Sequence, residues 1–149
     1  MNPTDIPLAE RAAHLRIAIV RTARRLRQEA AAETGGLTPT SVAALATIER
    51  HGPLTPSEIA EIERVKRPTT TRTLVCLERE GLVDRARDPQ DGRSALISIN
   101  AAGRERLRRL RGRKNAYLAK RMRELTGEEV ETLERAAEIL ERMREGDRG

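Results

Sequence analysis

The sequence contains neither phenylalanine nor tryptophan, and Tyr117 is its only aromatic residue. A ligand pocket lined by several rings is thereby excluded. Cys76 is the only cysteine, so no disulfide can close within the chain and no CxxC pair exists for redox chemistry or zinc. A reducing compartment is the natural setting. No apolar run approaches the roughly eighteen residues of a membrane span, and the opening MNPTDIPLAE lacks the charged-then-apolar order of a signal peptide. These absences point to a cytoplasmic protein with no membrane partner. Enzymatic signatures are missing too: there is no Ser/His/Asp order, no glycine-rich phosphate loop and no paired-carboxylate motif, and the acid-rich stretch from Glu128 to Glu145 reads as a helix exterior. His14 and His51 lie far apart, and spacing supplies no further ligands to complete a metal site. No enzyme, metal site or cofactor is expected.

What is present is a chain of 149 residues, about one domain's worth and long enough for a real core. Its formal net charge of +6 is uneven: from Glu124 onward nine acids oppose four arginines, net −5, which leaves +11 for residues 1–123. The acidic end reads as a solvated helix and the basic part as a surface for a polyanion. Within the basic part, Arg64, Lys66, Arg67 and Arg72 fall in ten residues with no acid. The excess of arginine over lysine fits phosphate recognition, but the codon usage of a G+C-rich genome, which favours Arg and Ala, is the preferred explanation.

The periodicity is mostly helical. Leu8, Ala12, Leu15, Ile19, Ala23 and Leu26 predict one long amphipathic helix to about Ala32, ended by Gly35 and Gly36. Thr38 with Pro39 starts a second helix, which runs to His51 and Gly52. TPSE at 55–58 is a capping box for a short third helix, and a fourth runs from Lys66 to Glu80 with Gly81 as its C-cap. The period then becomes alternating: 82–87 and 94–99 are strand candidates, with Ala95, Ile97 and Ile99 on one face. In the connection DPQDG, Asp88 and Pro89 suit the first positions of a type I turn, and Gly92 is assigned the positive φ of the return. Asn100 caps a long helix through Leu107, Leu110, Leu118 and Met122. Thr126 and Glu129 box a last one whose stripe, Val130, Leu133, Ala136, Ala137, Leu140 and Met143, is long enough to need a partner.

Two short helices followed by a β-hairpin make a winged helix-turn-helix: mainly α, with a small hairpin wing, flanked by long N- and C-terminal helices. The expected organisation is a DNA-binding lobe at 37–99 and a helical dimerisation region at 8–34 plus 100–146. The fourth helix is the reader. With Thr70, Leu74 and Leu77 inward, the 100° step turns Pro68, Thr69, Arg72, Val75 and Cys76 outward, and Arg72 could pair with guanine O6 and N7. Arg64, Lys66 and Arg67 gather at its start, where helix amides attract phosphate. From charge alone, solvated residues on an ordinary helix explain these equally well; the capped short helix and the hairpin favour DNA.

PTTTR at 68–72, LEREGLVDR at 77–85, DPQDGR at 88–93 and ISINAAG at 97–103 resemble the MarR-type bacterial transcriptional regulators. The resemblance extends over the flanking helices, and EGLV followed by DPxDxR at this spacing is fairly specific. It implies a homodimer in which the first and last two helices of each subunit interlock, with a winged head on either side, bound to double-stranded DNA as a ligand-responsive repressor on a pseudo-palindromic operator. It also implies major-groove contacts from Thr69, Thr71 and Arg72, and a wing-tip Arg93 in the minor groove, oriented by Asp91. Lys66 departs from the family's serine at the start of the reading helix and cannot accept a capping bond. Asn100 replaces a threonine conservatively, because asparagine also caps. The lack of rings argues against a flat aromatic effector, and Cys76 lies away from the N-terminal position of a peroxide-sensing cysteine. A ligand pocket belongs where the long helices meet the reader head, but no residue there announces a chemistry. The alternative reading is a helical protein-interaction adaptor using the winged head, motivated by the stripe from Val130 to Met143.

Overall fold

The computed structural model describes residues 6–146. Residues 1–5, part of the segment whose pattern argues against a signal peptide, lie outside the described residues. The chain order is α1 (Leu8–Glu29), a 3-10 turn (Ala31–Glu33), α2 (Pro39–His51), α3 (Pro56–Glu63), α4 (Arg67–Arg79), β1 (Val83–Arg87), β2 (Ala95–Ile99), α5 (Ala101–Met122) and α6 (Gly127–Glu145). This is the mainly α winged helix-turn-helix arrangement that the sequence predicts.

Capping chemistry sets most boundaries. The Thr38 hydroxyl accepts from the Ser41 amide at 3.1 Å, with Pro39 in the first turn of α2. At α3 both arms of the capping box form: the Glu58 amide donates to Thr55 Oγ1 at 3.2 Å and the Thr55 amide to Glu58 Oε2 at 2.8 Å. Thr126 and Glu129 repeat it at α6, and Asn100 Oδ1 accepts from the Gly103 amide at 2.9 Å at α5. Each such cap satisfies amides that have no partner within the helix, contributing about 1 kcal/mol. The first helix stops earlier than its apolar period suggests: after Glu29 the chain tightens into the 3-10 turn, and Gly35 and Gly36 (φ 58° and 88°) complete the break.

β1 and β2 pair antiparallel, from Val83 opposite Ile99 to Arg87 opposite Ala95. Leu54 adds a bridge that the sequence does not predict. Its amide donates to the Ile97 carbonyl at 3.0 Å and its carbonyl accepts from the Ile97 amide at 2.8 Å, just after a cis Gly52–Pro53 bond. The wing is thereby anchored to the segment between α2 and α3.

The core lies inside this lobe. Leu45 and Ile48 of α2, Ile59 of α3, Leu74 and Leu77 of α4, Leu82, Ile97 and Leu107 of α5 are essentially inaccessible. Gly103 permits the closest approach: a Cβ there would collide with the Leu82 carbonyl oxygen and with the Ile99 side chain. Arginines sew α5 to its neighbours. Arg106 donates to the Thr34 carbonyl at 2.8 Å, Arg111 pairs with Glu49 at 2.8 Å, and Arg109 and Arg113 share Glu33 at 3.3 and 3.2 Å. The α1 and α6 helices, by contrast, bury no residue fully: Leu133 is 46% and Met143 60% exposed. No helix among the described residues is long and apolar enough to cross a membrane.

Candidate nucleic-acid interface

The turn between α3 and α4 is built around Arg64. Its amide donates to the Glu61 carbonyl at 3.2 Å, and the Val65 amide to the Ala60 carbonyl at 3.0 Å. These are the two bonds of a Schellman motif, whose left-handed position glycine usually fills. Here Arg64 fills it at φ 52°, ψ 43°, a conformation that costs a residue with a Cβ roughly 1 kcal/mol. Arg64 and Lys66 are exposed, and Lys66, at the N-cap of α4, makes no side-chain capping bond, as its chemistry requires.

On α4 itself, Thr70, Thr73, Leu74 and Leu77 are buried, while Pro68, Thr71, Arg72 and Val75 are exposed and Thr69 is half-buried. The inward face is the one the sequence predicts. Cys76 is not on the outward face: it is half-buried and packs against the core cluster, so its thiol is turned toward the protein. The helical step puts Thr69 and Cys76 on one flank, and both are half-covered, so the buried arc is wider on that side. Arg67 donates to the Ser57 hydroxyl of α3, and the Thr71 hydroxyl donates to the Arg67 carbonyl at 3.1 Å. Among the described residues Arg64, Lys66, Arg72, Arg87 and Arg93 take part in no side-chain hydrogen bond or ion pair.

The wing departs from its expected turn. The Ser94 amide donates to the Asp91 carbonyl at 3.0 Å, so the β-turn comprises residues 91–94, and the Asp88 amide reaches the Ser94 carbonyl at 2.9 Å. Asp88 Oδ1 accepts from the Gln90 amide at 2.9 Å, a local Asx bond, in place of the type I turn expected at Asp88 and Pro89. Gly92 is not among the positive-φ residues, which corrects the assignment made from its identity. Asp91 Oδ1 accepts from the Arg93 amide at 3.0 Å and Oδ2 from the Ser94 hydroxyl at 3.3 Å. Its carboxylate thus holds the backbone of the turn and leaves the Arg93 guanidinium unpaired. Arg87, at the last pair of β1, is a second exposed wing cation that motif reading passes over; its signal is the alternation in VDRAR, which puts Arg85 and Arg87 on one side. Arg85 is occupied by Glu78 of α4 at 2.7 Å and fastens wing to reader.

Two hollows flank the long helices. One, of about 770 Å³, lies between α1, α2 and α5, floored by Leu37, Leu107 and Leu110. The other, of about 440 Å³, lies around Tyr117, whose hydroxyl accepts from Arg25 at 3.3 Å with the guanidinium 5.2 Å from the ring centroid. That hydrogen bond, and then Glu29, raises the Arg25 pKa above its ordinary value. His14 and His51 are exposed, on α1 and at the end of α2.

A basic reader seated on a small helical core, with a hairpin pinned beside it, defines a winged helix-turn-helix DNA-binding protein. Residues 37–95 match the model of the MarR family. The chain is 35% identical over 132 residues to an HTH-type transcriptional regulator of Mycobacterium tuberculosis, covering 89% of this chain and 91% of that one. It is 32% identical over 98 residues to the HTH-type transcriptional repressor MdtR of Bacillus subtilis, covering 66% and 63%. Its fold superposes on the crystal structure of a putative transcriptional regulator from Pseudomonas aeruginosa with a TM-score of 0.81 and 31% identity, covering 97% and 98%. The protein belongs to the MarR family of DNA-binding transcriptional regulators.

Proposed function

We propose that the protein is a ligand-responsive repressor that binds double-stranded DNA in the cytoplasm as a homodimer, with residues 37–99 as the DNA-binding lobe and 8–34 plus 100–146 as the dimerisation region. The observation that carries the DNA assignment is the contrast between two sets of arginines. Those of α5 are largely consumed by Glu33, Glu49, Glu80 and Glu105, whereas Arg64, Arg72, Arg87 and Arg93 of the reader and wing are exposed and unpaired. In this reading Thr69, Thr71 and Arg72 meet base edges with Pro68 beside them, and Arg64, Lys66 and Arg67 contact phosphates around the start of α4. Arg93 enters the minor groove from a turn that Asp91 holds. The name of the Bacillus subtilis relative supports repression. The uncovered apolar residues of α1 and α6, together with the acidity of α6 and the basicity of α1 and α5, support a second copy as the partner of these helices. Two heads so joined would read half-sites about one helical turn apart.

The test is a gel shift on an operator selected from genomic fragments. Arg72→Ala is expected to cost about 1–3 kcal/mol and relax preference at one base position. Arg93→Ala is expected to weaken binding to all sequences and to lower the salt slope by about 1. Wild-type binding by both variants at moderate salt would overturn the assignment.

A further inference from the structure

We propose that Val75 is a specificity-determining residue of the reader and packs against the C5-methyl group of a thymine in the major groove. The inference deepens the DNA reading above and rests on it. Exposure is the first argument. Of the large apolar side chains left exposed among the described residues, only Ile62 and Val75 fall within residues 37–99. Ile62 is on α3, whereas Val75, 55% exposed, stands on the outward face of α4. At about 100° per residue, Pro68, Arg72, Val75 and Arg79 lie within about 60° of one another, opposite the buried Thr70, Thr73, Leu74 and Leu77. The valine therefore stands between two exposed arginines, one turn after Arg72 and one turn before Arg79. Neither acid near the end of α4 consumes Arg79, because Glu78 pairs with Arg85 and Glu80 with Arg106. Cations on both sides of an apolar side chain draw that stretch of helix onto a polyanion.

Side-chain chemistry supplies the second argument. Valine has no polar atom beyond the backbone, so it can tell base edges apart only by apolar contact. The apolar group that a base edge shows in the major groove is the thymine C5-methyl. Branching at Cβ holds valine to one dominant rotamer in a helix, so little side-chain freedom is lost when the contact forms. Folding gives no reason for the residue, because valine is a poorer helix former than alanine and this one is left mostly in solvent. Three residues advance a helix by about 4.5 Å, and successive bases of a strand are about 3.4 Å apart. The thymine is thus expected within about two base pairs of the guanine that Arg72 reads.

Quantitative gel shifts of the full chain on the selected operator test the assignment. Each thymine of a half-site is replaced singly by deoxyuridine, which removes the methyl group and keeps the base pair. At one position within about two base pairs of the guanine mapped by Arg72→Ala, the wild type is expected to lose about fourfold in affinity per methyl removed. Val75→Ala is expected to bind the thymine and deoxyuridine operators equally, with a melting temperature at or above that of the wild type. Indifference of the wild type to every deoxyuridine would overturn the inference. So would a penalty that Val75→Ala retains, since it would arise from DNA shape and not from contact, or an operator with no thymine in that window. In each of these cases sequence-selective binding survives and the DNA reading stands. Failure of the full chain to retain any duplex selectively sinks both.

Discussion

Arg64 is where folding and charge meet in one residue. Its left-handed backbone closes the turn of the helix-turn-helix, and its guanidinium stands unpaired beside the reader. A residue chosen for the turn alone would be glycine. Arg64→Gly is therefore expected to stabilise the fold by up to about 1 kcal/mol in chemical denaturation while weakening DNA retention and its salt dependence. Lower stability would show that the guanidinium packs structurally. The sequence discloses the charge at this position but not the strain, because a left-handed residue is visible only once the chain is seen to reverse there. Cys76 gives the opposite lesson: the helical step alone turns it outward, and only the packing of its neighbours leaves it half-buried against the core.

At the level of elements, the hairpin and the start of α5 show how differently two glycines serve. In the wing, Gly92 has ordinary backbone geometry and open space around it. Gly92→Ala is thus expected to leave the melting temperature unchanged or raise it, by the roughly 0.4–1 kcal/mol that restricting the unfolded chain contributes. Gly103 sits where α5 crosses the end of the sheet, and Gly103→Ala is expected to cost about 1–3 kcal/mol through overpacking against the Leu82 carbonyl and Ile99. Thermal melts of the two variants side by side check both. The capping boxes at Thr55 and Thr126 are legible in the sequence because their partners are three residues away. The bridge from Leu54 to Ile97 is not, because its partners are distant and a single pair leaves no periodic pattern.

For the whole molecule, the balance between the reader lobe and the long helices is the governing fact. The lobe has a continuous aliphatic core, while α1 and α6 leave Leu15, Val20, Leu133, Ile139 and Met143 uncovered. In the proposed dimer these residues are buried together. Leu133→Glu is expected to raise the dimer dissociation constant by about a hundredfold or more, the equivalent of roughly 3 kcal/mol from lost apolar burial and an introduced carboxylate. Light scattering across a dilution series measures this, and circular dichroism verifies that the chain stays helical. An unchanged constant would remove α6 from the interface.

Local chemistry let the amino-acid sequence alone determine the helix starts, the hairpin, the buried stripe of Thr70, Leu74 and Leu77, and the resemblance carried by EGLV and DPQDGR. Their signals lie within a few residues of one another. Tertiary structure alone decided which arginines are free and that Asp91 grips a backbone rather than a guanidinium. Those outcomes depend on which distant carboxylates and helices arrive beside each side chain, and no spacing along the chain records that.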